Sequence, residues 1–238
     1  MPDAVAAAPR ETYFIAVAGS MNPAIHHLQW YRTIGAIDEA ELKAALQIPI
    51  NQTSALLSQV QFGSPPFLIT CQPEQWWIQS SDVNAWPRML DIAALVFARL
   101  NETPVTSYAL SAQKHVDTDS PDTKSLLAET LWELNLGLPR GKSTASNITL
   151  SVIEEDFVVH TSLQASALSE RAIYVFYQHL YQSPQAPQGA ATGGYFDLGV
   201  LLKGRFEKFR DEQDRVVGET VASVNARAVK LVRGRSNE

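Results

Sequence analysis

The densest run of reactive side chains in this chain is His26-His27-Leu28-Gln29-Trp30-Tyr31-Arg32. On a helix, His26 would lie one turn from Trp30, and His27 one turn from Tyr31. Adjacent histidines point about 100° apart there, so they do not form the one-face pair of a helical metal site. What the segment suits is recognition, because indole, phenol and guanidinium groups anchor interfaces. The structural alternative is a core Trp30 edged by the two histidines. A second cluster, His115, Asp117, Asp119 and Asp122, has the donors for a hard metal or for phosphate transfer. Its local explanation is a helix capped by Ser120, with acids at the positive end of the helix dipole. Glu154, Glu155 and Asp156 read as a water-facing hairpin turn. His160 and His179 would face each other across neighbouring strands.

Gly137-Leu138-Pro139-Arg140-Gly141-Lys142-Ser143-Thr144 looks like a phosphate-binding loop, in which backbone N–H groups and a lysine hold phosphates. It is one residue short, carries Pro139, and lies between a helix and a strand-like run instead of opening a helix. The expectation is a connector, without nucleotide hydrolysis. Cys71, the only cysteine, reads as a small buried residue, and it excludes both an internal disulfide and a thiolate-rich metal site. No Gly-x-Ser-x-Gly elbow is present. Neither a bound metal nor a cofactor is expected. Trp76 and Trp77 put one indole on each face of a strand, which makes Trp77 a recognition candidate. Arg227, Lys230, Arg233 and Arg235 form a basic tail that favours a helix C-terminus and also suits an acidic partner.

With 238 residues and 45% hydrophobic content, the chain has ample length to bury a core. Nineteen basic and 25 acidic residues leave a net charge of -6, which disfavours nucleic acid and anionic lipid. The N-terminal residues lack a basic, apolar leader, and no run reaches the roughly 20 apolar residues of a membrane span. A cytoplasmic, bacterial-type protein is the expectation.

The elements that must position these residues follow from periodicity. Residues 1–11 read as a disordered arm, 12–17 as a buried strand, and 22–31 and 39–47 as helices capped by Asn22 and Asp38. Alternation then gives strands near 56–62, 67–71 and 76–79, the last two joined by a turn through Pro73. Helix 86–100 follows, then strand 105–116 and helix 122–134. The same order of three strands and a helix recurs: 148–152, 157–163 and 172–181, a loop over 183–197, and a long helix over 198–232. At about 1.5 Å per residue that helix must span both halves or project, unless Gly204 or Gly218 breaks it. Beyond Gly218 its stripe thins, so its distal end is expected to serve a partner. The fold class is α+β: antiparallel sheets in two packed lobes, 12–119 and 120–238, the first an elaborated ferredoxin-like unit.

Association is the functional expectation: a non-enzymatic subunit or adaptor, binding a protein partner or itself through His26, His27, Trp30, Tyr31, Arg32, Trp77, Arg227, Lys230, Arg233 and Arg235. Duplicated ferredoxin-like units with the late glycines Gly189, Gly193, Gly194 and Gly199 resemble the repeat-associated RNA endonucleases of CRISPR systems. That resemblance implies RNA binding or processing, with an upstream histidine as general base. The family's glycine loop is denser, and a long helix follows here. A small-molecule site between sheet and long helix is the third reading.

Overall fold

In β1 (Glu11–Gly19), Tyr13, Ile15 and Val17 are fully buried, while the alternating Phe14, Ala16 and Ala18 are half-buried. That period of two sends one face of the strand into a core and leaves the other on a more open side. The structure, a computed structural model, describes residues 10–133, 147–183 and 197–235. The phosphate-loop-like segment 137–144 and the glycines Gly189, Gly193 and Gly194 fall outside them. β1 begins inside the stretch expected as an arm, and Arg10 pairs with Asp117 at 2.7 Å.

After β1 come α1 (Leu28–Thr33), α2 (Glu39–Ala45) and the short strand β2 (Gln52–Thr53). The meander β3 (Ser58–Phe62), β4 (Phe67–Gln72) and β5 (Gln75–Ser80) leads to α3 (Trp86–Arg99). A second half then repeats the order: β6 (Val105–Asp117), α4 (Thr123–Glu133), the meander β7 (Asn147–Ile153), β8 (Phe157–Ala165) and β9 (Ala172–Gln182), and α5 (Leu198–Arg235). Gln72 pairs with Gln75, so Pro73 sits in a two-residue turn and leaves the ladder intact. Gly63, at φ 83°, turns β3 into β4, and a Cβ there would come within 2.8 Å of the Phe67 ring.

The two meanders join one antiparallel sheet of nine strands, in the order β2-β3-β4-β5-β1-β6-β9-β8-β7. β1 and β6 pair antiparallel at its centre, Ile15 opposite Leu110. Moving outward, β5, β4 and β3 on one side match β9, β8 and β7 on the other. The strand and helix before each meander thus belong to the repeat, and the halves are related by an approximate twofold through the β1–β6 pair.

The described helices all lie on one face. Tyr31 of α1 meets Phe62, Phe97 of α3 meets Trp76, and Phe209 of α5 meets Tyr177. Leu126 and Leu127 of α4 form a second, smaller core with Ile173, Val175, Val224 and Ala228. α5 stays unbroken through Gly204 and Gly218, both open to space. Glycine costs about 1 kcal/mol in a helix, and packing on either side overrides that. The helix does span both halves. Gly199 touches Ala94 of α3 so closely that a Cβ would come within 2.5 Å of it, and Ala228 reaches the α4 core. The distal end is therefore core as far as Ala228, a correction to the thinning stripe read from the sequence.

Candidate functional site

The His26–Arg32 segment is not one helix. A 3-10 turn, Pro23–Ile25, is capped by Asn22, and α1 restarts at Leu28 with His27 as its N-cap, Nδ1 accepting from the Trp30 N–H at 3.2 Å. The extended backbone of His27 turns His26 inward, where it is fully buried. Its Nδ1 lies 2.9 Å from Tyr31 Oη, which accepts from Trp76 Nε1 at 3.2 Å. With Tyr31 donating to Nδ1, the proton of His26 sits on Nε2, which is buried and has no partner. Burial, with help from His27, pulls the His26 pKa down to about 4. His26 and Tyr31 thus belong to the core. Trp30 is half-buried against both rings, at 5.0 and 5.2 Å. Arg32 Nε is 3.5 Å from Glu39, an ion pair without the alignment of a hydrogen bond.

In the second half His179 is also fully buried, and sequence reasoning gave no sign of its surroundings. Its Nδ1 is 3.0 Å from Tyr181 Oη, and its Nε2 is 2.7 Å from Tyr177 Oη and 3.0 Å from Glu212 Oε2. Tyr177 also reaches Glu212, at 3.2 Å. The protons fit in one way: Tyr181 donates to Nδ1, Nε2–H donates to Tyr177 and Glu212, and Tyr177 donates to Glu212. Burial pulls His179 down to about 4, against the attraction of Glu212, and raises both tyrosines. A neutral, fully bonded imidazole with no exposed surface is a tie between β9 and α5. Substrate cannot reach it without displacing α5. His160 does not face it. His160 pairs with Gln178 on the opposite face of the sheet and bonds Ser151 at 2.8 Å, because neighbouring residues on a strand point to opposite faces.

That opposite face, free of the described helices, carries Trp77. In register across the sheet, one row reads Gln59, Thr70, Trp77, Ala16, Ala109, Leu180 and Val158. The next reads Gln61, Leu68, Gln79, Phe14, Ser111, Gln178 and His160. Phe176 and Tyr174 extend the face along β9, and the Tyr174 ring lies tilted against His115, centroids 5.0 Å apart. Among the described strand residues this face has no lysine or arginine, and its only carboxylate is Asp117, at the end of β6 and paired with Arg10. The pattern was available in the sequence, as glutamine, serine and aromatic residues alternating with the core positions.

The remaining candidates resolve locally. Asp122, not Ser120, caps α4, accepting from the Ser125 N–H at 3.2 Å and from its hydroxyl at 2.6 Å, which lowers its pKa. Ser120 instead accepts from the Asp122 N–H. Among the described residues no three His, Cys, Asp or Glu side chains converge as metal ligands. Cys71 is fully buried, and burial pushes its thiol up to about 12. Glu154, Glu155 and Asp156 are exposed in the β7–β8 turn, where Asp156 pairs with Arg205. Arg227 lines a groove of about 370 Å³ with Leu126, Leu163 and Val216. Lys230, Arg233 and Arg235 lie on the terminal turns of α5. Gly199, read as part of a late glycine loop, stands in the first turn of that helix. No described helix is long and apolar enough to cross a membrane. In comparisons with known proteins, no family model matches the chain, and no curated protein matches it.

Proposed function

We propose that this chain is a non-catalytic interaction subunit of a cytoplasmic multi-protein assembly, and that its open sheet face docks a partner protein. The observation that carries this reading is the scarcity of charge on that face: among its described strand residues the one charged group is Asp117, at the end of β6 and neutralised by Arg10. A solvated face of an antiparallel sheet is ordinarily polar, whereas the centre of a protein interface is depleted of charge and enriched in aromatic residues. Phe14, Trp77, Phe176 and Tyr174, set among glutamines and serines, follow the second pattern. Eight strands side by side span roughly 38 Å, and three or four same-face residues along each add roughly 20 Å. The resulting face of roughly 800 Å² is what one partner contributes to a standard interface.

RNA is the weaker occupant. Sheet faces that hold single strands pair their aromatic platforms with lysine or arginine along the backbone path, and the described strand residues of this face include neither. The single, buried cysteine fits a reducing compartment.

The test uses Gln79→Lys combined with Gln178→Lys, which flank Phe14 and Ser111 in register. Tagged wild-type and variant chains are recovered from the native host and their companions compared. The expected outcome is a companion held by wild type and lost from a variant of unchanged melting temperature. Full retention by the folded variant contradicts the reading.

A further inference from the structure

We propose that β7 is the edge along which two copies of this chain join, antiparallel and centred on Leu150, so that one sheet runs through both. The inference does not depend on the open-face reading, because it concerns the rim of the sheet.

The two rims differ. At one end lies β2, a two-residue strand too short to template another chain. At the other lies β7, seven residues long, paired with β8 along Asn147–Ile153 and, among the described residues, with no strand on its outer side. A row of backbone N–H and C=O groups is satisfied only by another extended segment. Natural edges are usually guarded by lysine, proline, a bulge or brevity. β7 has no charge and no proline, and its register with β8 is unbroken. Its apolar side chains are exposed: Leu150 by 62%, Val152 by 53% and Ile153 by 85%.

The sequence of the strand indicates which segment fits. Asn147-Ile148-Thr149-Leu150-Ser151-Val152-Ile153 reads nearly the same outward from Leu150 in both directions. In an antiparallel pair about that residue, Leu150 meets Leu150, Val152 meets Ile148, and Ser151 meets Thr149. Over the central five residues apolar groups oppose apolar groups and hydroxyls oppose hydroxyls, which are favourable cross-strand pairs, while at the two ends Asn147 meets Ile153. A strand complementary to itself in this way selects a second copy over an unrelated partner. Opposed residues of an antiparallel pair share a face, so the helices of both copies fall on the same side of the joined sheet. The molecule already contains one such junction, in the β1–β6 pairing that unites its halves.

Three variants of the full chain test this. Purified wild type, measured by light scattering during gel filtration over a range of concentrations, is expected at the mass of two chains. Leu150→Lys, which sets two lysines opposite each other, is expected at the mass of one. Leu150→Cys gives a register-specific readout. Antiparallel neighbours have Cα atoms about 4.5–5.5 Å apart, within disulfide reach, so mild oxidation should link two chains. Val152→Cys, opposite Ile148, should link far less, and wild type, with Cys71 buried, should not link at all. A monomeric wild type overturns the proposal. So does a dimer that Leu150→Lys leaves intact, or one that Leu150→Cys fails to link. If Leu150→Lys does not fold, the two cysteine variants decide alone.

Discussion

Each half of the sheet buries one histidine against tyrosine, and the two are solved differently. In the first half, His26 shares one hydrogen bond with Tyr31, and its Nε2 has no partner. In the second, His179 is bonded at both nitrogens and reaches through Tyr177 to Glu212 on α5. The frames match: Trp76 lies beside Val17 of β1 as Tyr177 lies beside Ala112 of β6, and Ile78 takes the place of His179. The difference lies in what covers the strands. The first half is closed by three helices of its own, and its polar tie, from Trp76 of β5 through Tyr31 of α1 to His26, contains no carboxylate. The second is closed largely by α5, which begins against the other half, and a bonded network fixes where that helix sits. A repeated frame therefore does not repeat its core chemistry.

Four comparisons can break or sharpen that contrast. The largest effect should come from Phe209→Ala, which removes a fully buried ring between α5 and β9 and should cost about 3–5 kcal/mol in urea unfolding. Phe206, half-buried on the same helix, should cost clearly less. Equal losses would mean that α5 is seated otherwise. Next, Glu212→Ala should cost about 1–3 kcal/mol, because it leaves buried donors on His179 and Tyr177 without an acceptor. His26→Phe discards an unpartnered nitrogen but leaves one buried donor, the Tyr31 hydroxyl, without its acceptor, so it should fall at the lower end of that range, about 1 kcal/mol. Reversing that order would dissolve the contrast.

Acid is the third probe. Both histidines are held neutral, with pKa values lowered from 6.5 to about 4. Between these values the unfolded chain binds more protons than the folded one, so stability rises with pH. It should be intact above pH 6.5 and fall as pH drops toward about 4. His26→Phe should flatten part of that slope in a series of unfolding curves, and His179→Gln another part. A wild-type slope of zero across this window would show that neither imidazole is held neutral. The smallest effect belongs to the open face, where Gln79→Lys should move stability by no more than about 0.5 kcal/mol.

The elements were legible where local chemistry acts alone. Pro73 marked its hairpin, Asp38 the start of its helix, and alternation marked both meanders. The two halves read as separate sheets because pairing between β1 and β6 is a long-range match that no window of sequence contains. The break at His26 was hidden because the spacing of Leu28 and Tyr31 continues a helical pattern across it. Phe206 and Phe209 are both apolar residues of α5, and what distinguishes them is that Phe209 packs on Tyr177 and His179. His179 was visible as a residue, but its partner Glu212 stands on another element 33 positions later. Trp77 was legible as the outward member of its pair. The charge-poor face around it appears only when alternate residues of several strands are read in register.

The central claim, that this face docks a protein, is tested most directly by photo-crosslinking in the native host. A photoreactive side chain is placed at Gln79 or at Gln178 on the open face, and at the exposed Arg210 on the helix side as a control. The account predicts that the same protein is captured from positions 79 and 178 and not from 210. Capture from position 210 alone, or unrelated products from 79 and 178, would contradict it.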